Sequence, residues 1–388
     1  MHRTHRCDTE VLQPQPIAAL HASARPTVFT RSIIEPLKKD KAVPASPKTL
    51  PILDLRRFAP AHPERQQALA ELREVSRTLG FFYLTGHGVP QQEIDDLAVL
   101  ARRFFSLPDA EKLEIEMRRS PHFRGYNRAG FEYTRGKQDW REQVDFGPER
   151  ERLQISPKDP PWQRLVGPNQ FPSALPELRP AVLKWIDDVT DVGLTVLQAF
   201  SEALGQKPDV FAPIYSNGPN QLLKLVRYPG RDETESDQGV GAHKDGGFVT
   251  ILLQDVVGGL QVDDGEGGWI EAPPIRGTFV VNVGELLELA SNGYLKANIH
   301  RVVTPPAGGD RLSIPFFLGA NLAATIPVLE LPPALAAEVR GVTQDPLNPL
   351  FREVGRNVLK SRLRSHPDVA REHHADLLEE QVKDGSPA

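Results

Sequence analysis

The chain has 388 residues and a single cysteine, Cys7. One thiol cannot close a disulfide within the chain, so a reducing, cytoplasmic setting is expected. The same scarcity excludes cysteine-built zinc sites, iron–sulfur clusters and a thiol nucleophile. No apolar run approaches the roughly 18 residues that a membrane span needs, and no stretch has the layout of a secretory signal. A formal net charge of -5 offers no electrostatic case for nucleic acid or an anionic membrane, so neither partner is expected. Nucleotide and hydrolase signatures are missing too. The Gly130–Lys137 segment is one residue too long for a phosphate loop, and Gln138 stands where Ser or Thr is needed. There is no nucleophile elbow.

Turn formers are abundant: 36 prolines and 30 glycines favour a β-rich core over a helix bundle. The length suits one large β-rich domain with helical decoration, or two domains. Residues 1–48 show no period and read as a disordered or loosely packed extension. A transit peptide is the sharper alternative, opposed by Asp8, Glu10, Glu35 and Asp40.

Order begins near Pro51 with a strand over 51–55. A helix over 64–79 follows, its Leu69, Leu72, Val75 and Leu79 recurring at helical spacing before Gly80. A strand over 81–84 and a helix over 90–105 come next, and 109–170 reads as irregular. A long helix is expected over 176–204, ended by Gly205. From about 219 the period becomes two. Strands are expected at 221–228, 248–253, 259–262, 268–271, 278–283, 299–304 and 311–318, which suggests a sandwich or jelly roll. The acidic 232–237 segment reads as a loop. A closing helix is expected over 347–364, extending toward 382, with the basic run Lys360–Arg364 on an exposed face and His373-His374 in a solvated tail.

The chemistry concentrates in Gly241-Ala242-His243-Lys244-Asp245-Gly246. If this stretch is extended, His243 and Asp245 point to one side of the chain. His300 arrives later, in Asn298-Ile299-His300-Arg301-Val302. Two imidazoles and one carboxylate can cap one face of an octahedral ion and leave three positions open, which suits iron(II) oxygen chemistry. His-x-Asp also occurs by chance, so the neighbours matter. Arg311 and Ser313 are two apart on a strand and share a face. Arginine offers a planar fork for a carboxylate, and serine adds a hydroxyl. Together they suit the distal carboxylate of a dicarboxylate bound at the metal.

These motifs stand in a familiar order. Leu225-Val226-Arg227-Tyr228-Pro229, Ala242-His243-Lys244-Asp245, Gly258-Gly259-Leu260-Gln261-Val262, Val281-Asn282-Val283-Gly284-Glu285, His300-Arg301-Val302 and Arg311-Leu312-Ser313 resemble the isopenicillin N synthase-like iron(II)/2-oxoglutarate-dependent dioxygenases. Gly80-Phe81-Phe82-Tyr83-Leu84 and Gly86-His87-Gly88-Val89-Pro90 extend the resemblance to roughly residues 50–365. It implies a mainly β fold with α: a double-stranded β-helix, or jelly roll, flanked by N-terminal helices and a C-terminal helix. The division would be 1–48 extension, 49–205 N-terminal region, 206–345 catalytic core and 346–388 closing helix and tail. The resemblance also implies Fe(II) on His243, Asp245 and His300, and 2-oxoglutarate as co-substrate on Arg311 and Ser313 with Tyr228 beside it. His87 would be structural. Val226 stands where many plant members carry Asn, so one polar contact of that region is in doubt.

The expected reaction is oxidation of a small organic molecule by dioxygen, as hydroxylation, desaturation or cyclisation, with release of succinate and CO2. The rivals are an iron oxidase of the same fold that needs no 2-oxo acid, and a non-catalytic ligand-binding protein. For the substrate pocket, Lys224 is a candidate to meet an acidic substrate, with a solvated rim lysine as the alternative. Phe248, Phe316 and Leu318 are candidates for an apolar wall, with core packing as the alternative. Arg124, Tyr126 and Phe131 belong to a segment placed to fold over the metal mouth. Prime substrate and oligomeric state are left open.

Overall fold

The computed structural model describes residues 49–342 and 348–383. The expectations for residues 1–48 and for the helix start at 347 fall outside those residues.

The chain opens with β1 (Ile52–Asp54), α1 (Arg65–Thr78), β2 (Phe81–Thr85) and α2 (Gln91–Phe105). Gly80 turns the end of α1 into β2 with φ of 74°. Any side chain there would meet the Lys296 carbonyl, its Cβ only 2.1 Å from the oxygen, so glycine is required on two counts. The stretch expected to be irregular instead holds α3 (Asp109–Lys112), β3 (Gly125–Asn127), β4 (Glu132–Thr134), β5 (Lys137–Asp139) and β6 (Glu142–Phe146). These strands are short and carry polar residues, so the apolar alternation that reveals a strand is missing.

After α4 (Leu178–Ala203) and α5 (Ala212–Tyr215) come β7 (Leu222–Pro229), β8 (Gln238–His243), β9 (Val249–Gln254), β10 (Leu260–Asp263), β11 (Trp269–Glu271) and β12 (Phe279–Val283). Then follow α6 (Glu285–Ala290), β13 (His300–Val303), β14 (Asp310–Leu318) and α7 (Pro333–Ala336). All seven strands expected beyond residue 219 are present. The additional one, β8, contains two glycines and little β-former. At Gly241 a Cβ would lie 2.9 Å from Thr134 Cγ2, so the packing itself selects a weak strand former.

Eight strands form one sheet in the order β1-β2-β12-β9-β14-β7-β6-β3, and four form another in the order β11-β10-β13-β8. Strands from both sides of residue 205 share the larger sheet, and one apolar core runs from Leu50 to Val354. The architecture is the expected jelly roll, mainly β with helices outside. Helix α4 covers the outer face of the larger sheet. Gly193 lets it approach closely: a Cβ there would be 3.2 Å from Leu318 Cδ2.

The closing region is three helices rather than one: α8 (Val354–Ser365), α9 (Pro367–His373) and α10 (Ala375–Lys383). Pro367 lacks the N–H needed to continue α8 and begins α9 instead. The two expectations of exposure here are overturned. Arg362 is buried and bonds Asp145 at 2.6 Å. His374 is fully buried, stacked on Phe123 with ring centres 5.1 Å apart. Among the described residues no helix is long and apolar enough to cross a membrane.

Candidate metal centre

Strands β8 and β13 are antiparallel neighbours, and their register sets His243 directly opposite His300. The two rings lie 4.3 Å apart. Asp245 follows β8 immediately, and its Oδ1 is 3.5 Å from His243 Nε2 and 3.6 Å from His300 Nε2. One donor atom from each of the three residues lies within 4.8 Å of the others. Residues far apart in the chain therefore meet on the inner side of the smaller sheet.

The donor atoms are also correctly prepared. His243 Nδ1 lies 2.8 Å from the Gly241 carbonyl, and His300 Nδ1 lies 3.4 Å from that of Asn298. A carbonyl accepts only from an N–H, so each Nδ1 carries the proton and each Nε2 offers its lone pair inward. Oδ2 of Asp245 accepts from Thr250 Oγ1 at 2.6 Å and from Asn282 Nδ2 at 2.8 Å. Thr250 and Asn282 both belong to the larger sheet, which thus holds this carboxylate from across the barrel and leaves Oδ1 facing the imidazoles. Burial opposes ionisation of Asp245, but the adjacent imidazoles and these hydrogen bonds hold its carboxyl well below the usual range. Burial, helped by repulsion from His243, pushes His300 down to about 4, so it is a neutral donor at pH 7. Burial also disfavours charge on His243, yet the Asp245 carboxylate outweighs it and raises that imidazole. Two imidazole nitrogens, with any proton on His243 Nε2 displaced on binding, and one carboxylate oxygen fit a ferrous ion.

The residues expected to hold the dicarboxylate are placed just as specifically. Arg311 is fully buried, with its guanidinium 4.9 Å from the centre of the Tyr228 ring. Its NH2 donates to Gln254 Oε1 at 3.0 Å, while Nε and NH1 have no partner. Two orphaned donors of a buried cation are costly unless a ligand carboxylate meets them. The register pairs Arg311 with Tyr228, and pairs Ser313 with both Val226 and Gln254, so these side chains share the inner face.

The other candidates separate by strand parity. Phe316 and Leu318 have the opposite parity to Arg311 and Ser313 on β14 and pack toward the helices, not the metal. Phe248 lies against Phe211 and Tyr215 in the core. Tyr126 is buried on the face of β3 opposite Asn127, against Phe104, and donates to Glu142 Oε2 at 2.6 Å. Phe131 is about half exposed. Lys224 is neither on a rim nor free: it is buried, donates to Glu132 at 2.9 Å and lies 3.6 Å from Asp145. Arg124 is buried, and desolvation with repulsion from Arg362 lowers it to about 9. His87 packs on Phe279, their ring centres 4.1 Å apart.

Sequence reading passed over Thr250, Asn282, Gln254 and Asp139. The first two had a signal: each is a lone polar residue inside an apolar strand, Val249-Thr250-Ile251 and Val281-Asn282-Val283. Asp139 is fully buried and accepts from the Gly241 N–H at 3.0 Å, anchoring the residue whose carbonyl orients His243.

Comparison with known proteins agrees with this geometry. Residues 50–174 match the family described as non-haem dioxygenase in morphine synthesis, N-terminal, and residues 219–320 match the 2OG-Fe(II) oxygenase superfamily. A 2-oxoglutarate-dependent dioxygenase, frbJ, of Dothideomycetidae sp. (strain 11243) is 37% identical over 83% of this chain and 90% of its own. A homoarginine-6-hydroxylase of Arabidopsis thaliana is 34% identical over 68% of this chain and 73% of its own. Among solved structures, a full-length Neurospora crassa protein in complex with alpha-KG and 5-formyluracil superposes with a TM-score of 0.65. It is 26% identical and covers 81% of this chain and 96% of its own. With both halves matched in order, the chain belongs to the 2OG-Fe(II) oxygenase superfamily, an enzyme family that oxidises small molecules with iron(II), 2-oxoglutarate and dioxygen.

Proposed function

We propose that His243, Asp245 and His300 hold the ferrous ion of this oxygenase, and that Arg311, with Ser313 and Tyr228 beside it, anchors the distal carboxylate of 2-oxoglutarate. The observation that carries the reading is the pair of unpartnered buried donors on Arg311, on the inner wall of the barrel that also holds the three donor residues. When bound, iron would activate dioxygen as the oxidant, with 2-oxoglutarate giving two of its four electrons and leaving as succinate and CO2, and the substrate giving the other two.

The protein's own residues bind and orient. Backbone carbonyls fix both imidazole tautomers. Thr250 and Asn282 hold Asp245 so that one oxygen faces the imidazoles. Gln254 holds one edge of the Arg311 fork and leaves the other for the co-substrate. Phe81, 5.1 Å from the His300 ring centre, excludes water from that flank. A lone thiol in the whole chain supports a cytoplasmic, reducing setting, which also keeps iron ferrous.

The test is anaerobic addition of Fe(II) and 2-oxoglutarate. A weak visible charge-transfer band is expected in the native protein and should be lost in His243→Ala. Substrate-dependent succinate release then separates this reading from an iron oxidase that uses no 2-oxo acid. An unaltered band in His243→Ala would remove the assignment.

A further inference from the structure

One row of side chains crosses the inner face of the larger sheet. Gln254 pairs with Ser313, Ser313 with Val226, Val226 with Gln143, and Gln143 with Asn127. The row begins at the residue that holds Arg311 and ends at one bonded to His366 of the closing helices. Around it lies a buried layer of charge. Glu132 bonds Arg141 at 2.6 Å and Lys224 at 2.9 Å, and Asp145 bonds Arg362 at 2.6 Å. Asp139 lies 3.7 Å from Arg141 and joins the layer to β8 beside His243.

Burying ions is expensive, and an apolar substrate against such a wall would leave its unmet polar groups unpaired. The layer also has unspent bonding capacity of both kinds. Gln143 Oε1 is a buried acceptor without a donor, and Arg141 Nε is a buried donor without an acceptor. Glu132, Asp139 and Asp145 balance Arg141, Lys224 and Arg362. Arg124, near Asp145 and Arg362, adds a buried cation whose Nε is likewise unpartnered. The unmet Nε of the Arg141 cation asks for an anionic group, and the unmet Gln143 Oε1 asks for a donor on the same small molecule.

We propose that the prime substrate is a small zwitterion of the amino-acid type, its carboxylate met by Arg141 and its ammonium by Gln143, in a charged wall that Asp145 and Lys224 complete. The inference rests on the iron and 2-oxoglutarate reading above.

The test uses the full chain loaded with Fe(II) and 2-oxoglutarate. Formation of the charge-transfer band is checked first, because its absence sinks the underlying reading, whereas a normal band confines any later failure to the substrate class. The probes are the common L-amino acids with ornithine and citrulline, their decarboxylated amines, their deaminated acids, and a neutral flavanone. At least one amino acid is expected to shift the band, raise succinate release about tenfold over background and gain oxygen or lose two hydrogens. Its amine and acid counterparts should fall by about tenfold or more, since buried polar groups would be left unmet. Equal stimulation by the flavanone or by the truncated analogues would overturn the proposal, as would a normal band that no amino acid perturbs. Gln143→Leu breaks no ion pair. It should raise the amino-acid KM about tenfold and leave the 2-oxoglutarate KM within about twofold; an unchanged amino-acid KM would overturn the assigned wall.

Discussion

Thr250 donates its hydroxyl proton to Oδ2 of Asp245 across 2.6 Å, from the opposite sheet. The bond ties a ligand carboxylate to a rigid strand and fixes which oxygen faces the imidazoles. Thr250→Val keeps the shape and deletes the donor. Iron affinity should fall by about tenfold, at the lower end of what loss of an outer hydrogen bond causes, because Asn282 still holds the same oxygen. Anaerobic calorimetry with Fe(II) reads it. An affinity equal to that of the native protein would show that Asn282 alone suffices.

Arg311 presents two unmatched donors in a fixed plane above Tyr228. Lysine in its place keeps the charge and loses the fork. Arg311→Lys should therefore raise the 2-oxoglutarate KM by about 10- to 100-fold, which corresponds to one or two charge-assisted hydrogen bonds. Iron affinity measured without co-substrate should stay within about twofold, since Arg311 contacts no metal donor. Parallel loss of both affinities would mean that Arg311 supports the fold rather than the co-substrate.

The candidate metal donors were legible because their residue types and setting are distinctive: His-x-Asp on extended chain, then a histidine on a later strand. The residues offered for the substrate pocket were much less so. Phe316 and Leu318 looked like pocket residues, yet parity from Arg311 already sends them to the other face. Arg362 looked like part of a solvated basic run, and only the tertiary fold reveals its partner Asp145, more than half the chain away. Strands β3 to β6 escaped notice because their inward residues are polar, and a polar inner face erases the alternation by which half-buried strands are recognised. The failure and the substrate inference share a physical cause: this part of the barrel is lined with charge.

His366 gives the stability a definite pH dependence. It is fully buried between Asn127, Arg362 and Glu132. Burial, only partly opposed by Glu132, lowers it from 6.5 to about 4. The folded protein thus keeps His366 neutral where the unfolded chain would protonate it. Its contribution is complete above pH 6.5 and is lost as pH falls through about 4. Urea unfolding across that window should show stability declining with acidification, and His366→Gln should flatten the decline by about one proton's worth of slope. Identical slopes in the two proteins would mean that the imidazole is already charged in the fold.

The Arg362–Asp145 pair fastens α8 to β6, and its energetics can be separated from mere proximity. Arg362→Met leaves a fully buried carboxylate with Lys224, 3.6 Å away, as its nearest remaining cation. Breaking one side of a buried pair costs about 3–5 kcal/mol, and the residual lysine places this case near 3. Asp145→Asn in the same chain removes the stranded charge while keeping an acceptor for Gln143, so the double variant should recover about half of the loss or more. Chemical denaturation of the four proteins in the cycle measures it. If the double variant is as unstable as the sum of the singles, the two residues stabilise the closing helices independently, and the ion pair is not what docks them.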